Sequence, residues 1–135
     1  MSRSQSDRRA NRRAAERRGR RAEAFAAFSL QLKGWTILDR RARTRAGEID
    51  LVAARGTVLA FVEVKERATL DGALQALGPR QRERLLRAGS VWRGGKARFH
   101  EHEVRFDLVL VSPWRWPRHV PGAFSAEQAS SLDLI

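Results

Sequence analysis

The chain has 135 residues, 42% of them apolar, with a formal net charge of +12 and a sequence pI near 11.7. This suits one domain with a single core, and the charge favours a polyanionic partner, nucleic acid before a membrane surface. The absence of cysteine excludes a disulfide framework and any thiolate ligand or nucleophile. The sequence also has no apolar run near the roughly 18 residues of a spanning helix and no secretory signal, so a cytoplasmic protein without membrane contacts is the simplest expectation, with a homodimer left open.

In chain order, residues 1–13 are polar and arginine-rich without apolar periodicity, which predicts a disordered basic arm. Such an arm serves phosphate contact or solubility. A helix is expected from about Ala14 to Lys33, with Ala22, Phe25, Ala26, Ser29 and Leu32 as its core stripe and Gly34 as its stop. Trp35 to Arg41 reads as a strand. Gly47 to Val52 and Leu59 to Lys65 both alternate polar and apolar residues around Arg55-Gly56, which predicts a hairpin of half-buried strands. Leu70, Ala73, Leu74 and Leu77 fit a short helical pattern, and Pro79 opens a second helix to about Trp92 with Leu85, Leu86 and Ala88 inward. On other faces of that helix, Arg80, Gln81, Arg84 and Arg87 are candidate nucleic-acid contacts, a solvated surface being the alternative. Val104 to Val111 is a strand. From Ser112 the chain reads as a cover loop, its Trp114 and Trp116 packing on the body. The order α-β-β-β-α-β predicts an α/β fold, one mixed sheet flanked by helices over residues 14–124, with a tail at 125–135.

The hairpin carries the chemistry. Side chains two apart on a strand share a face. With the turn centred on Arg55-Gly56, Glu63 lies across from Glu48, and Asp50 across from Phe61, with Ile49 and Leu51 on the other face. Three carboxylates then crowd beside Lys65. Directly opposed like charges destabilise a sheet, so the cluster makes sense around a hard divalent cation such as Mg²⁺ or Mn²⁺; a solvated strand face is the alternative. Lysine is also a selective choice here, because the chain has 3 lysines among its 27 basic residues. It is a compact charge suited to a phosphate or a water. Arg105 and Asp107 share a strand face and read as a buried ion network. His100, His102 and His119 are only a weak zinc signal.

Gly19-Arg20-Arg21-Ala22-Glu23, Gly34-Trp35-Thr36-Ile37-Leu38, Gly47-Glu48-Ile49-Asp50, Phe61-Val62-Glu63-Val64-Lys65, Arg105-Phe106-Asp107 and Ala123-Phe124 resemble the YraN-like uncharacterised family. The Asp50 and Glu63-Val64-Lys65 pair is similar to the PD-(D/E)XK nuclease motif. The resemblance runs from about Arg17 to Phe124 and implies a restriction-endonuclease-like fold. It implies a metal-dependent endonuclease that hydrolyses phosphodiester bonds of DNA, branched or structured DNA included. Asp50, Glu63 and the Val64 carbonyl would hold Mg²⁺ or Mn²⁺, Lys65 would act on the attacking water or the pentacovalent phosphate, and Glu23 would complete the catalytic set as in resolvase-like members. Gln81 matches a Lys-Gln pair of the family, while Arg80 departs from it; Glu48 reads as structural or as an acid that supports the metal ligands from behind. The other functions to weigh are a non-catalytic nucleic-acid-binding module and an RNA-directed nuclease, with DNA favoured over RNA.

Overall fold

The structure, a computed structural model, describes residues 3–125. Helix α1 (Arg3–Leu32) leads into strands β1 (Thr36–Thr44), β2 (Gly47–Arg55) and β3 (Val58–Glu66). Helices α2 (Leu70–Ala76) and α3 (Pro79–Gly94) follow, then a short 3-10 turn at Ala97–Phe99 and strands β4 (Glu103–Val111) and β5 (Arg118–Phe124). The five strands form one sheet in chain order; β3 and β4 run parallel and the other neighbours antiparallel. This is the mixed α/β sheet flanked by helices that the periodicities predict, because a parallel pair needs a long crossover and α2–α3 supplies it.

The two helical layers bury opposite faces of the sheet. Ala26, Ala27 and Leu30 of α1 pack with Leu51, Ala53, Ala60, Val62 and Val109. Ala88 and Trp92 of α3 pack with Val52, Leu59 and Phe61. Alpha3 lies so close that a Cβ on Gly89 would sit 2.9 Å from the Phe61 ring. A third cluster joins Ala73 and Leu77 to Leu85, Leu108, Leu110 and Phe124. Among the described residues no helix is long and apolar enough to cross a membrane.

Four expectations are corrected. Helix α1 begins at Arg3, so the arm expected to be disordered is helical over its described part. Arg, Ala and Gln are good helix formers, and the packed half of α1 has already met the nucleation cost. The core stripe of α1 is Ala22, Ala26, Ala27, Ser29 and Leu30, while Leu32 is exposed; Trp35 N–H bonds back to Leu30 O, ending the buried face there. The hairpin turn centres on Gly56, at φ +59, and Thr57, closed by Arg55 and Val58. That shifts the register by two residues from the expected one, setting Leu51 across from Val62 and Val52 across from Phe61. Finally, the end of the chain is more than a loop, since Arg118–Phe124 forms the edge strand β5. Pro121 and Gly122 hide it from a propensity reading and are tolerated because it pairs on one side only. Trp116 packs edge-on against Phe25 at 5.3 Å between ring centroids, whereas Trp114 is fully exposed. The tail expected at 125–135 lies, apart from Ser125, outside the described residues.

Candidate active site

The β2–β3 ladder ends at Leu51 and Val62. One step further on the same register stand Asp50 and Glu63. There the Asp50 carboxylate accepts a hydrogen bond from the Val64 N–H at 2.9 Å. A side chain thus replaces a rung, and the strands part. Strict alternation fails at the same point: Ile49 and Leu51, expected on one face, belong to different core clusters. The neighbouring strand is irregular there too. Arg40 pairs with Leu51 and Ala42 with Ile49, and Arg41 between them adopts φ +50, an uncommon conformation for a residue with a side chain.

These irregularities gather the predicted residues. Glu23, Asp50, Glu63, Val64 and Lys65 line one open cavity of about 450 Å³, together with Ala15, Gly19 and Ala22 of α1 and the basic Arg18 and Arg67. Glu63 is 6% exposed. Its carboxylate lies 3.2 Å from Lys65 Nζ and accepts a long hydrogen bond from Gln81 Nε2 at 3.5 Å. Glu23 accepts from Arg41 Nε at 2.6 Å. Corrected by the register, Glu63 therefore meets Asp50 rather than Glu48. Glu48 is exposed and stands in register with Arg43 of β1.

The two central carboxylates are poorly tolerated as a charged pair. Burial first, and then the Glu63 charge, push the Asp50 carboxyl up to about 8, against the pull of the Val64 N–H. Burial also raises Glu63, opposed by Lys65, by a hydrogen bond with Asp50 and by Gln81. The Arg41 guanidinium is stabilised as a cation by its hydrogen bond to Glu23, and more weakly by Glu48 and Asp50. Among the described residues no three acidic or imidazole side chains converge as a ready-made cation cage. The acidic residues that line the cavity are Glu23, Asp50, Glu63 and Glu66, with Val64 next to Glu63, and of these Asp50 and Glu63 stand together at its centre.

Other predicted contacts stand apart. Arg80, Arg84 and Arg87 are exposed on α3. Arg84 lies along Gly47, where a Cβ would be 2.9 Å from its side chain, and Arg87 lines a separate hollow with Arg45 and Ala46. Of that set only Gln81 reaches the acids. The sequence reading missed Arg41, for which the only signal was a basic residue one strand away from Asp50. The expected network at Arg105 and Asp107 forms within β4, where Asp107 is in register with Val62 of β3. Arg105 donates twice to Asp107, at 2.8 Å and 2.8 Å, His119 Nε2 lies 2.7 Å from it, and the Gly122 N–H donates at 3.0 Å.

Fold and cavity together describe a small α/β protein with a crowded acidic centre at a break in its sheet. The chain belongs to the uncharacterised protein family UPF0102, whose model matches residues 22–111; this is the YraN-like family that the motifs resemble. It is 56% identical over 116 residues to a UPF0102 protein of Maricaulis maris, covering 82% of this chain and 91% of that one. It is 50% identical over 115 residues to a UPF0102 protein of Mesorhizobium japonicum, covering 85% and 92%. A UPF0102 protein of Paramagnetospirillum magneticum is likewise 50% identical over 115 residues, at 82% and 89%. The matched family span contains Glu23, Arg41, Asp50, Glu63, Lys65 and Gln81, and it leaves out the first 21 residues and His119.

Proposed function

We propose that this protein is a metal-dependent endonuclease of the PD-(D/E)XK type that hydrolyses phosphodiester bonds of DNA, branched or structured DNA included. The observation that carries the reading is one cavity holding two mutually opposed carboxylates, half-buried Asp50 and buried Glu63, beside Lys65. A hard dication fits these donors. Both carboxylates and the Val64 carbonyl offer oxygen, and positive charge there would relieve the crowding that keeps Asp50 protonated. Asp50, Glu63 and the Val64 carbonyl would hold Mg²⁺ or Mn²⁺, which when bound supplies a Lewis acid for the phosphoryl oxygens and the attacking water.

The chain's own residues have separate tasks. The Val64 N–H fixes the Asp50 carboxylate. Gln81 and Lys65 orient Glu63 from two sides. The Lys65 ammonium is positioned to donate to the attacking water or to the charge that develops on phosphorus. Glu23, held by Arg41, adds negative charge near Asp50 and strengthens its demand for a cation. Arg18 and Arg67 line the same cavity and suit phosphate. Action on cellular DNA makes the cytoplasm the expected location.

One observation favours a second reading, a nucleic-acid-binding module without catalysis: among the described residues only two acids crowd the centre, and Glu23 is engaged by Arg41. The test is a cleavage screen over linear, flapped and four-way DNA and over RNA, with Mg²⁺ or Mn²⁺, beside Glu63→Gln. DNA cleavage by the wild type that disappears in Glu63→Gln supports the nuclease. Tight binding without cleavage under either metal makes it a binding module, and cleavage of RNA alone moves the substrate.

A further inference from the structure

The face of α1 that packs on the sheet continues past the sheet's edge and changes character. At spacings of three and four residues it reads Leu30, Ala26, Ala22, Gly19, Ala15, Arg12, Arg8. Leu30, Ala26 and Ala22 are buried in the core. Gly19 and Ala15 line the acidic cavity, and open space surrounds the point where a Cβ on Gly19 would stand. Arg12 and Arg8 follow, exposed, sharing a hollow with Gln5 and Arg9. Among the described residues no ion pair joins Arg8 or Arg12 to a carboxylate. From Ser4 to Arg21 the helix carries eight arginines against Asp7 and Glu16. The same stretch has no Leu, Ile, Val, Met or aromatic residue. An interfacial membrane helix needs such an apolar face, and so does a helix docking on a protein groove. A phosphate backbone needs only the charge, and the arginine fork matches it.

We infer that the N-terminal half of α1 is a clamp for the backbone of duplex DNA, holding the duplex on one side of the phosphate that enters the cavity. The small side chains at Gly19 and Ala15 leave room for the backbone to pass towards Asp50 and Glu63, and Arg12 and Arg8 meet it beyond. Gly19 to Arg8 is eleven residues, about 16 Å of helix. At about 3.4 Å per phosphate along a duplex strand, the clamp reaches roughly five base pairs from the cavity. The position of the reacting phosphate rests on the nuclease reading; the duplex-binding face does not.

The test uses full-length protein and compares two double variants of equal charge. Arg8→Gln with Arg12→Gln alters the clamp face, and Arg13→Gln with Arg17→Gln alters the opposite side of the same helix; circular dichroism should show both as helical as wild type. The probe is duplex DNA without metal, bound across a salt series. The clamp pair should lower the slope of log affinity against log salt by about 1.8, two phosphates' worth, and the opposite pair by much less. Equal losses from both pairs would mean diffuse charge, unchanged slopes would mean no contact, and tighter binding of duplex RNA than of DNA would assign another partner; each overturns the clamp. Where wild type cleaves, shortening one duplex arm to three base pairs should erase the difference between wild type and the Arg8, Arg12 variant. A protein that shows the face-specific slope but cleaves nothing keeps the clamp and loses the nuclease reading.

Discussion

Asp107 and Asp50 are both carboxylates on inner strands of one sheet, and they titrate in opposite directions. Asp107 is fully buried, and burial alone would raise its pKa. Its hydrogen bonds to His119, Arg105 and the Gly122 N–H instead hold it below the usual carboxylate range. Asp50 has one N–H donor; burial first, and then the charges of Glu63 and Glu23, push its carboxyl up to about 8. The fold can therefore satisfy a buried acid when stability is all that matters, and it does so at Asp107. At Asp50 it leaves the acid short of partners beside a cavity. An acid left short of partners at a cleft marks the place as a candidate functional site.

The difference should break most sharply at Asp107. Asp107→Ala leaves Arg105, stacked over Trp35, without its acid and should cost about 3–5 kcal/mol, the usual penalty for halving a buried ion pair. Urea unfolding followed by tryptophan fluorescence reads it directly. Glu63→Gln and Lys65→Ala should change the same quantity by less than about 1 kcal/mol, in either direction, because the packing of β3 rests on Phe61 and Val62. Comparable losses at both places would make the acidic centre structural. Gly89→Ala is intermediate: its Cβ would press on Phe61 and on Phe106, at 2.9 Å and 3.1 Å, and overpacking of this kind costs about 1–3 kcal/mol. Because Gln81 rides on α3, this variant should also weaken cleavage without disturbing Asp107.

The smallest effect is in pH. Asp107, with its lowered folded pKa, contributes stability that is present above the ordinary carboxylate pKa and lost as pH falls through its folded value. Asp50, with its raised folded pKa, contributes stability that is present below its unfolded value and lost as pH rises through about 8. Metal-free protein should thus be limited from the acid side by Asp107 and lose stability between about pH 4 and 8 through Asp50. Asp50→Asn should flatten only the second limb; a melting profile whose alkaline limb is the same in Asp50→Asn would contradict the assignment.

Much of this was legible in the sequence. Polar and apolar alternation located β2, β3 and β4, but the expected half-buried strands are corrected: consecutive residues such as Leu51, Val52 and Ala53 are buried, because helices cover both faces of the sheet. Gly-Glu-Ile-Asp with Phe-Val-Glu-Val-Lys marked the residues that meet in the cavity. Register was not legible, since Arg55-Gly56 and Gly56-Thr57 are both plausible turn centres and only the packed strands choose between them. Nor was the break at Asp50, where a carboxylate takes the place of a ladder bond. Arg41 escaped as well: its φ of +50, on the strand next to that break, leaves no mark on composition. Beta5 and the first turns of α1 failed differently. Proline and glycine disguise the former. The latter lacks apolar periodicity because, on the clamp inference, its partner is a polyanion rather than a core.

The central claim is that Asp50 and Glu63 form a cation site rather than an accident of burial. Thermal melts of wild type and Asp50→Asn with and without millimolar Mn²⁺ or Mg²⁺ test it most directly. The account predicts a metal-dependent stabilisation of wild type, about 2.7 kcal/mol at a hundredfold excess over the dissociation constant, and none in Asp50→Asn. No shift in wild type, or an equal shift in both proteins, would contradict it.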